Sequence, residues 1–449
     1  MFSKINDVLF PGHKEYPQIP AGKALILGLQ HAFAMSCATI LVPLATGLDV
    51  GVALFAAGIG TLIFHICTKG KMPTFLGSSF AFIAALSSII GNSAFGNTKE
   101  EQIAAACGGI IVAGGIYVVI ALIIKLIGSG FIEKLIPPVV RGVGIAIIGL
   151  GLSGSAISNI QSINPETGAP YFDALYYWRW GIAIFVLLTA ILLSCYGKGL
   201  LKQSSIVIAL LGGYIVTMTA VGTGIAPSEL MSFGDPAAGT GIYRNLFEIP
   251  NFVLPRFDLG AIIIVAPVAI VTCVEHLGDV YANGAVVGRD FTKDPGLHRT
   301  MLGDGLATMA AGFMGGPSNT TYSENTAVLA ATGNYNPANL RIAAVIAIAV
   351  SFFGKGIGAI ETLPTCVLGG ACILLYGMIS SVGLRTLVEN QVDFKSNRNL
   401  SIAAVMLVLA IGGAVMGGPD FSLSGIGLSI IAGIVLNLIL PDKSKASEN

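Results

Sequence analysis

Residues 315–333 read GGPSNTTYSENTAVLAATG, a glycine- and proline-flanked stretch inside an apolar region that carries Glu324 with Tyr322, Ser323 and Asn325 beside it. Crossing ~30 Å of hydrocarbon at 1.5 Å per residue takes a helix of about 20 apolar residues, and a stretch of about 14 falls short. The run SNTTYSEN also has β-propensity and near alternation. The expected structure is an extended segment leading into a half-helix. A second stretch, PTFLGSSFAFIAAL at residues 73–86, has the same character, with Phe80 at its break. The two are expected to meet near the membrane midplane. Irregular backbone survives there only against protein or a water-filled cavity, and free N–H groups at half-helix N-termini make a polar site.

Working outward, the 449 residues are 54% hydrophobic and 11% charged with mean hydropathy +0.81, which defines a polytopic all-α membrane protein. Fourteen candidate spans lie at residues 24–46, 50–68, 74–91, 103–127, 135–157, 180–196, 204–222, 259–282, 300–316, 319–332, 340–361, 363–383, 399–417 and 421–440. The first 20 residues are polar and proline-broken, without the apolar core of a cleaved signal peptide. With a cytoplasmic N-terminus, the outer loops hold Lys99, Arg179, Arg244, Arg256 and Lys355, and the other nineteen of the 24 basic residues lie inside. That bias obeys the positive-inside rule, so both termini are expected on the cytoplasmic side of the membrane. The seven cysteines, Cys37, Cys67, Cys107, Cys195, Cys273, Cys366 and Cys372, read as small buried hydrophobes. Zero formal net charge gives no reason to expect nucleic acid as a partner, and no cofactor is implied.

The halves echo each other. Gln30-His31 answers Glu275-His276, the short third span answers the tenth, and Pro137 to Gly142 matches the spacing of Pro364 to Gly369. Each echo joins span n to span n+7. A repeat of seven spans, an odd number, enters the membrane from opposite sides, so the expected architecture is two inverted repeats. The boundaries follow: an N-terminal tail at 1–20, a first repeat at 21–222, an outer loop at 223–258, a second repeat at 259–440 and a C-terminal tail at 441–449.

Glu275 and Asp279 stand four apart on one helical face in IVTCVEHLGDVYANG, with His276 turned about 100° away. A carboxylate at membrane depth costs roughly several kcal/mol and usually marks a substrate or proton pathway. Two acids on one face repel when both are ionised, so one is expected to hold a proton; a carboxyl whose proton occupancy depends on ligand is what a proton-coupled carrier needs. The bland readings stand beside this one. Glu275 reads alternatively as a structural ion-pair partner, and Asp279 as an acid at a solvated helix end. Asp304 faces either Glu275 or another helix, with a supporting role in hydrogen bonding. His31, mid-span, reads as a hydrogen-bonded core histidine or a coupling group, and Asn325 offers an amide donor and acceptor. Phe80 and Tyr322 are packing residues or stacking surfaces. The acid and histidine cluster on span eight lacks the HExxH pattern of a zinc site.

LQHAFAMSCATILVP in span one, GKMPTFLGSSFAFI in span three, EHLGD in span eight, DPGLHRTMLGDGL before span nine and PSNTTYSEN in span ten resemble the bacterial uracil permeases of the nucleobase/ascorbate transporter family, across roughly residues 16 to 440. The resemblance implies fourteen spans divided into a core domain (spans 1–4 and 8–11) and a gate domain (spans 5–7 and 12–14), and proton-coupled uptake of a nucleobase by alternating access. It implies that Glu275 and Glu324 bind the base, that the backbone around Phe80, Tyr322 and Ser323 adds hydrogen bonds, and that Phe80 packs against the ring. Three positions depart from the pattern. Asp279 stands where some relatives carry His, which leaves the coupling group open. Ala327 and Gly333 alter the signature after Glu324-Asn325. Relatives that prefer xanthine tend to carry Gln where this chain has Glu324, which favours a pyrimidine.

Uracil is a flat neutral ring with two N–H donors and two carbonyl acceptors, which two carboxyl groups and backbone N–H donors complement. Phosphate or sulfate would call for Arg or Lys near Glu275 or Glu324, and none is near in sequence. A xanthine permease is the alternative within the family. An ion channel would need a ring of like residues or a continuous polar pore, and a membrane enzyme a nucleophile with a base or a metal triad. Expected partners are uracil or a related base, protons and the bilayer; apolar outer faces on the gate domain would also let two copies form a homodimer.

Overall fold

The computed structural model describes residues 9–17, 19–128, 130–161, 170–236, 240–418 and 421–441. Residues 1–8 and 442–449 of the expected tails, with Lys4, Lys443 and Lys445, lie outside the described residues, as does the side chain of Cys37. The helices are α1 (Ala21–Thr46), α2 (Val50–Cys67), α3 (Ile83–Ile89), α4 (Lys99–Ile127), α5 (Gly130–Leu135), α6 (Pro138–Ser158), α7 (Ala174–Tyr196), α8 (Leu200–Gln203) and α9 (Ser205–Gly222). After the outer loop come α10 (Leu259–Val265), α11 (Val268–Val287), α12 (Leu297–Phe313), α13 (Ser323–Thr332), α14 (Ala338–Val350), α15 (Gly354–Glu361), α16 (Thr365–Glu389), α17 (Asn397–Ile411) and α18 (Gly425–Ile439). The strands are β1 (Leu76–Ser78), β2 (Asn319–Thr321), β3 (Val415–Gly418) and β4 (Phe421–Ser424). Among the described residues eight helices are long and apolar enough to cross a membrane, or nine if one bent pair counts as a span. The chain is a multi-pass, helical membrane protein.

Helix starts follow local chemistry. Asp49, Asp173 and Asp258 accept N-terminal backbone N–H groups of α2, α7 and α10, and Thr98 with Glu101 closes a capping box on α4. Four windows differ from straight helices. Residues 340–361 form α14 and α15, bent by 84°. Glycines at 354, 356 and 358 interrupt the apolar run there, and Gly358 lies so close under the outer loop that a Cβ would stand 1.9 Å from the Gly241 carbonyl oxygen. Residues 399–417 and 421–440 end and begin as the antiparallel hairpin β3–β4, because Gly412, Gly413, Gly417 and Gly418 stop the helix. In span eight, Pro267 lacks the N–H that would continue α10 into α11.

The two short segments are extended and pair antiparallel, with Leu76 opposite Thr321, Gly77 opposite Thr320 and Ser78 opposite Asn319, all buried. Ser79 N–H donates to the Ser318 carbonyl and Tyr322 N–H to the Phe75 carbonyl, extending the ladder at both ends. Around this crossing α12 packs along α4 and α2, and α14 along α2 and α1. A second set packs on itself, α16 along α6 and α7 and α17 along α18 and α6. The α6–α16 pair is antiparallel and close: Gly142 meets Gly383 and Leu387, Gly149 meets Tyr376 and Ser380, and Gly369 meets Ala156 and Ile160. Small residues let membrane helices approach in this way. α9 joins this set through α7 and α16, and contact between the two sets is sparser, chiefly α10 on β4, α11 on α6 and α9 on α1. Cys107, Cys273, Cys366 and Cys372 are buried, but Cys67 is half-buried and Cys195, near the end of α7, is exposed, against the reading of every cysteine as core.

Candidate binding site

The β1–β2 crossing sends one helix out from each strand. The chain after β1 turns into helix at Phe80, and the chain after β2 turns into α13 at Ser323; neither Ser79 nor Tyr322 caps the start with its side chain. The first N–H groups of each helix therefore have no intrahelical partner. The ladder from Leu76–Thr321 to Ser78–Asn319 spans two steps of ~3.4 Å, about 7 Å, and the two helices start two residues beyond its opposite ends.

Tyr322 holds this geometry. Its hydroxyl donates to the Ser78 carbonyl at 2.9 Å and lies 3.2 Å from Thr39 Oγ1 on α1. The ring covers Gly77 so closely that a Cβ there would stand 2.5 Å from Cε2 and Cζ. Tyr322 is thus buried structure and its amide is already bonded to the Phe75 carbonyl, whereas Ser323, the next residue, is exposed. Glu324 follows in the first turn of α13, also exposed, where the helix dipole favours negative charge. Asn325 turns the other way and is fully buried, its Nδ2 donating to the His31 carbonyl at 3.1 Å and lying 3.2 Å from His31 Nδ1. His31 and Asn325 therefore brace α13 against α1.

On α11, Glu275 is half-buried and its Oε2 is buried without a hydrogen-bond partner among the described residues. Asp279, one turn on, accepts a 2.6 Å hydrogen bond from Thr321 Oγ1 and so is tied to β2 instead of standing at a solvated helix end. Asp304 does not bond to Glu275. Its Oδ2 lies 2.7 Å from His276 Nδ1, both side chains being fully buried between α11 and α12. The charges of Asp304 and Glu324 nevertheless reach Glu275, and those of Glu275, Glu324 and Asp304 reach Asp279. Phe80 is half-buried and meets Tyr376 of α16 edge to face, with centroids 6.3 Å apart, so it touches the second helix set directly.

Two positioning features were not read from sequence. Asn283, buried on α11, donates from Nδ2 to the Pro73 carbonyl at 2.7 Å and to Thr326 Oγ1 at 3.2 Å, joining the lead-in to β1, α11 and α13. An asparagine inside an apolar span was the available signal. Gly278 shares the Glu275 side of α11, and a Cβ built there meets nothing within 4 Å, so the helix borders open space. That openness is directional. From Glu275 onward, Gly278, Asp279, Ala282, Ala285 and Val286 are half-buried or exposed, as are Ser323, Glu324, Ala327, Ala330 and Ala331 along α13. The preceding turns of α11 are almost wholly buried, and Ala81, Phe82, Ile83, Ala85, Leu86 and Ile89 close the side of α3.

A sequence profile described as "Permease family" matches residues 22–417. The chain is 43% identical to the uracil permease of Bacillus caldolyticus over 435 residues, covering 95% of this chain and 94% of that one. It is 38% identical to the uracil permease of Bacillus subtilis, covering 92% and 91%, and 34% identical to the uracil permease of Escherichia coli K12, covering 94% and 92%. Among solved structures, the murine solute carrier 26 member A9 anion transporter in the inward-facing state aligns with TM-score 0.67 at 14% identity, covering 98% of this chain and 72% of that one. The transmembrane domain of the cyanobacterial bicarbonate transporter BicA aligns with TM-score 0.61 at 16% identity, covering 92% and 96%. These last two show a shared fold.

Proposed function

We propose, from the premise that this chain belongs to the permease family of the bacterial uracil and nucleobase carriers, that it takes up uracil with protons by alternating access. The observation that carries the reading is the unpartnered Oε2 of Glu275, beside the open face at Gly278 and near the α13 start that bears Glu324. A base between these groups finds two carboxyl groups for its ring N–H donors, and the N–H groups at the starts of α13 and of the helix at Phe80 for its carbonyls. Phe80 offers a face for stacking. The related folds are described as transporters of anions, but among the described residues this site gathers acids without an Arg or Lys in salt-bridge contact with Glu275 or Glu324, which favours a neutral ring with N–H donors.

Coupling follows from the same acids. A protonated Glu275 can donate its hydroxyl to a uracil carbonyl while its other oxygen accepts a ring N–H, so base and proton bind as one linked event. The fourteen-span inverted repeat draws support from the symmetric register about Gly77 and Thr320, and from the antiparallel α6–α16 pair, whose helices start after Pro137 and Pro364. The core and gate domains correspond to the two helix sets, with Phe80 and Tyr376 touching across them. With the orientation given by the basic residues, the open side along α11 and α13 faces the cytoplasm of an inner-membrane protein, so this conformation is open inward. The test is uptake of radiolabelled uracil into proteoliposomes with and without an inward proton gradient, with xanthine as competitor. Gradient-driven accumulation that xanthine leaves unaffected is expected; accumulation of xanthine alone, or none of uracil, refutes the assignment.

A further inference from the structure

The segment ahead of α1 is bonded into the end of the protein onto which the site opens. Gly12 N–H donates to the Lys69 carbonyl at 2.8 Å, in the tight turn after α2 where Lys69 and Gly70 both have positive φ. Tyr16 is buried, donates its hydroxyl to the Lys71 carbonyl at 2.6 Å, and lies under the Arg289 guanidinium, 4.6 Å from the ring centroid. Glu15 bridges two cations, Arg289 at 2.6 Å and Lys71 at 3.2 Å, and Lys71 in turn reaches Asp294 at 2.6 Å. Phe10 lies under Arg341 of α14 at 4.3 Å, and Asn336 Nδ2 donates to the Pro17 carbonyl at 3.0 Å.

These contacts select three connections: residues 68–75 leading into β1, residues 288–296 leaving α11, and residues 333–337 leaving α13. β1, α11 and α13 are the elements that carry the proposed binding groups, and the same segment ties the connection adjoining each. We infer that residues 10–17 form a clasp that fixes the relative positions of β1, α11 and α13, so that Glu15 and Tyr16 act as positioning residues for the base site although they do not touch it. Burial pushes the Tyr16 phenol up to about 12, and Lys71 is held above its ordinary range, first by its hydrogen bond to Asp294. Both stay protonated, and the clasp intact, through the physiological range.

This inference rests on the uracil reading, and the experiment separates the two. Uracil affinity of purified full-length protein is measured by calorimetry at about 0.05 M and 1 M salt, for wild type, Glu15→Gln and Tyr16→Phe, with thermal unfolding of the ligand-free proteins as the check on folding. Uracil is uncharged, so salt acts on its affinity through the protein's own ion pairs, which are screened within about 3 Å at 1 M. Glu15→Gln is expected to weaken binding roughly threefold to tenfold at low salt, because it removes the ion pairs to Arg289 and Lys71, and to remove most of the wild-type salt dependence. Tyr16→Phe is expected to weaken binding while leaving salt dependence in place. A wild-type protein that does not bind uracil overturns the functional reading beneath the inference. A wild type that binds, with both variants matching its affinity and salt response, overturns the clasp alone.

Discussion

Two glycines of the site make opposite demands on a side chain, and the contrast tests where the base sits. At Gly278 a Cβ meets nothing within 4 Å, so the side chain of Gly278→Leu starts into open space while α11 gains a helix-favouring residue. Replacing a helix-interior glycine stabilises by about 1 kcal/mol on helix propensity, so the variant should unfold no more easily than wild type. Its side chain would occupy the space beside Glu275. Overfilling costs about 1–3 kcal/mol, which at 1.4 kcal/mol per decade is about a fivefold to 150-fold loss of uracil affinity. Gly77→Ala should behave in reverse. Its Cβ would stand 2.5 Å from the Tyr322 ring, so the ring must move and take the Ser78 and Thr39 contacts with it. An unfolding loss of about 1–3 kcal/mol is expected there. The assays are calorimetric uracil binding and thermal unfolding in detergent. A Gly278→Leu protein with wild-type uracil affinity would refute the placement of the base against this face of α11.

Glu324→Gln should weaken uracil binding by about 1–3 kcal/mol, because an amide NH₂ would confront a ring N–H and leave a buried donor pair; a wild-type dissociation constant in the purified variant counts against the contact. Glu275→Gln should bind or exchange substrate without the fall in affinity that wild type is expected to show as pH rises; concentrative uptake by this variant under a proton gradient would move coupling to Asp279, Glu324 or His31. In a background without native cysteines, Ser323→Cys, at an exposed position, should react with a small polar thiol reagent and be protected by saturating uracil. Ser79→Cys, buried on the other strand, should be unreactive in both conditions; labelling of Ser323→Cys unchanged by uracil refutes the site.

What the sequence carried about this fold was local. A 14-residue apolar stretch cannot span as a helix, and the Ser, Thr and aromatic content of residues 75–80 and 318–323 marks extended chain, so both strands were legible before any pairing was seen. The register was not, because it depends on Tyr322 covering a glycine 245 positions away in the chain. Asp304 shows the same limit: its partner, His276, is fixed by the rotational phase of α12 against α11, which no spacing within either helix encodes. The bend between α14 and α15 and the β3–β4 hairpin lie in windows whose mean hydropathy passes for a span, and only their glycines betray them. The N-terminal segment read as a polar tail because its partners, Lys69, Lys71, Arg289 and Arg341, are dispersed through loops and the start of α14 with no periodicity to join them.

The charges around the crossing bear on which ion accompanies the base. Asp304 has His276 as its partner, and Asp279 has the Thr321 hydroxyl, a dipole and not a charge. Glu275 and Glu324 have no cationic side chain within salt-bridge distance among the described residues. Glu324 gains from the start of α13 and from solvent, whereas Glu275 stands on a half-buried face with one oxygen unpartnered. A neutral base satisfies hydrogen bonds there but brings no charge, so closing the site over an ionised Glu275 would bury an uncompensated carboxylate. A proton on Glu275 removes that cost only while the site is closed. On the proposed coupling, water would again stabilise the carboxylate when the site opens along α11 and α13, and proton and base would leave on the same side.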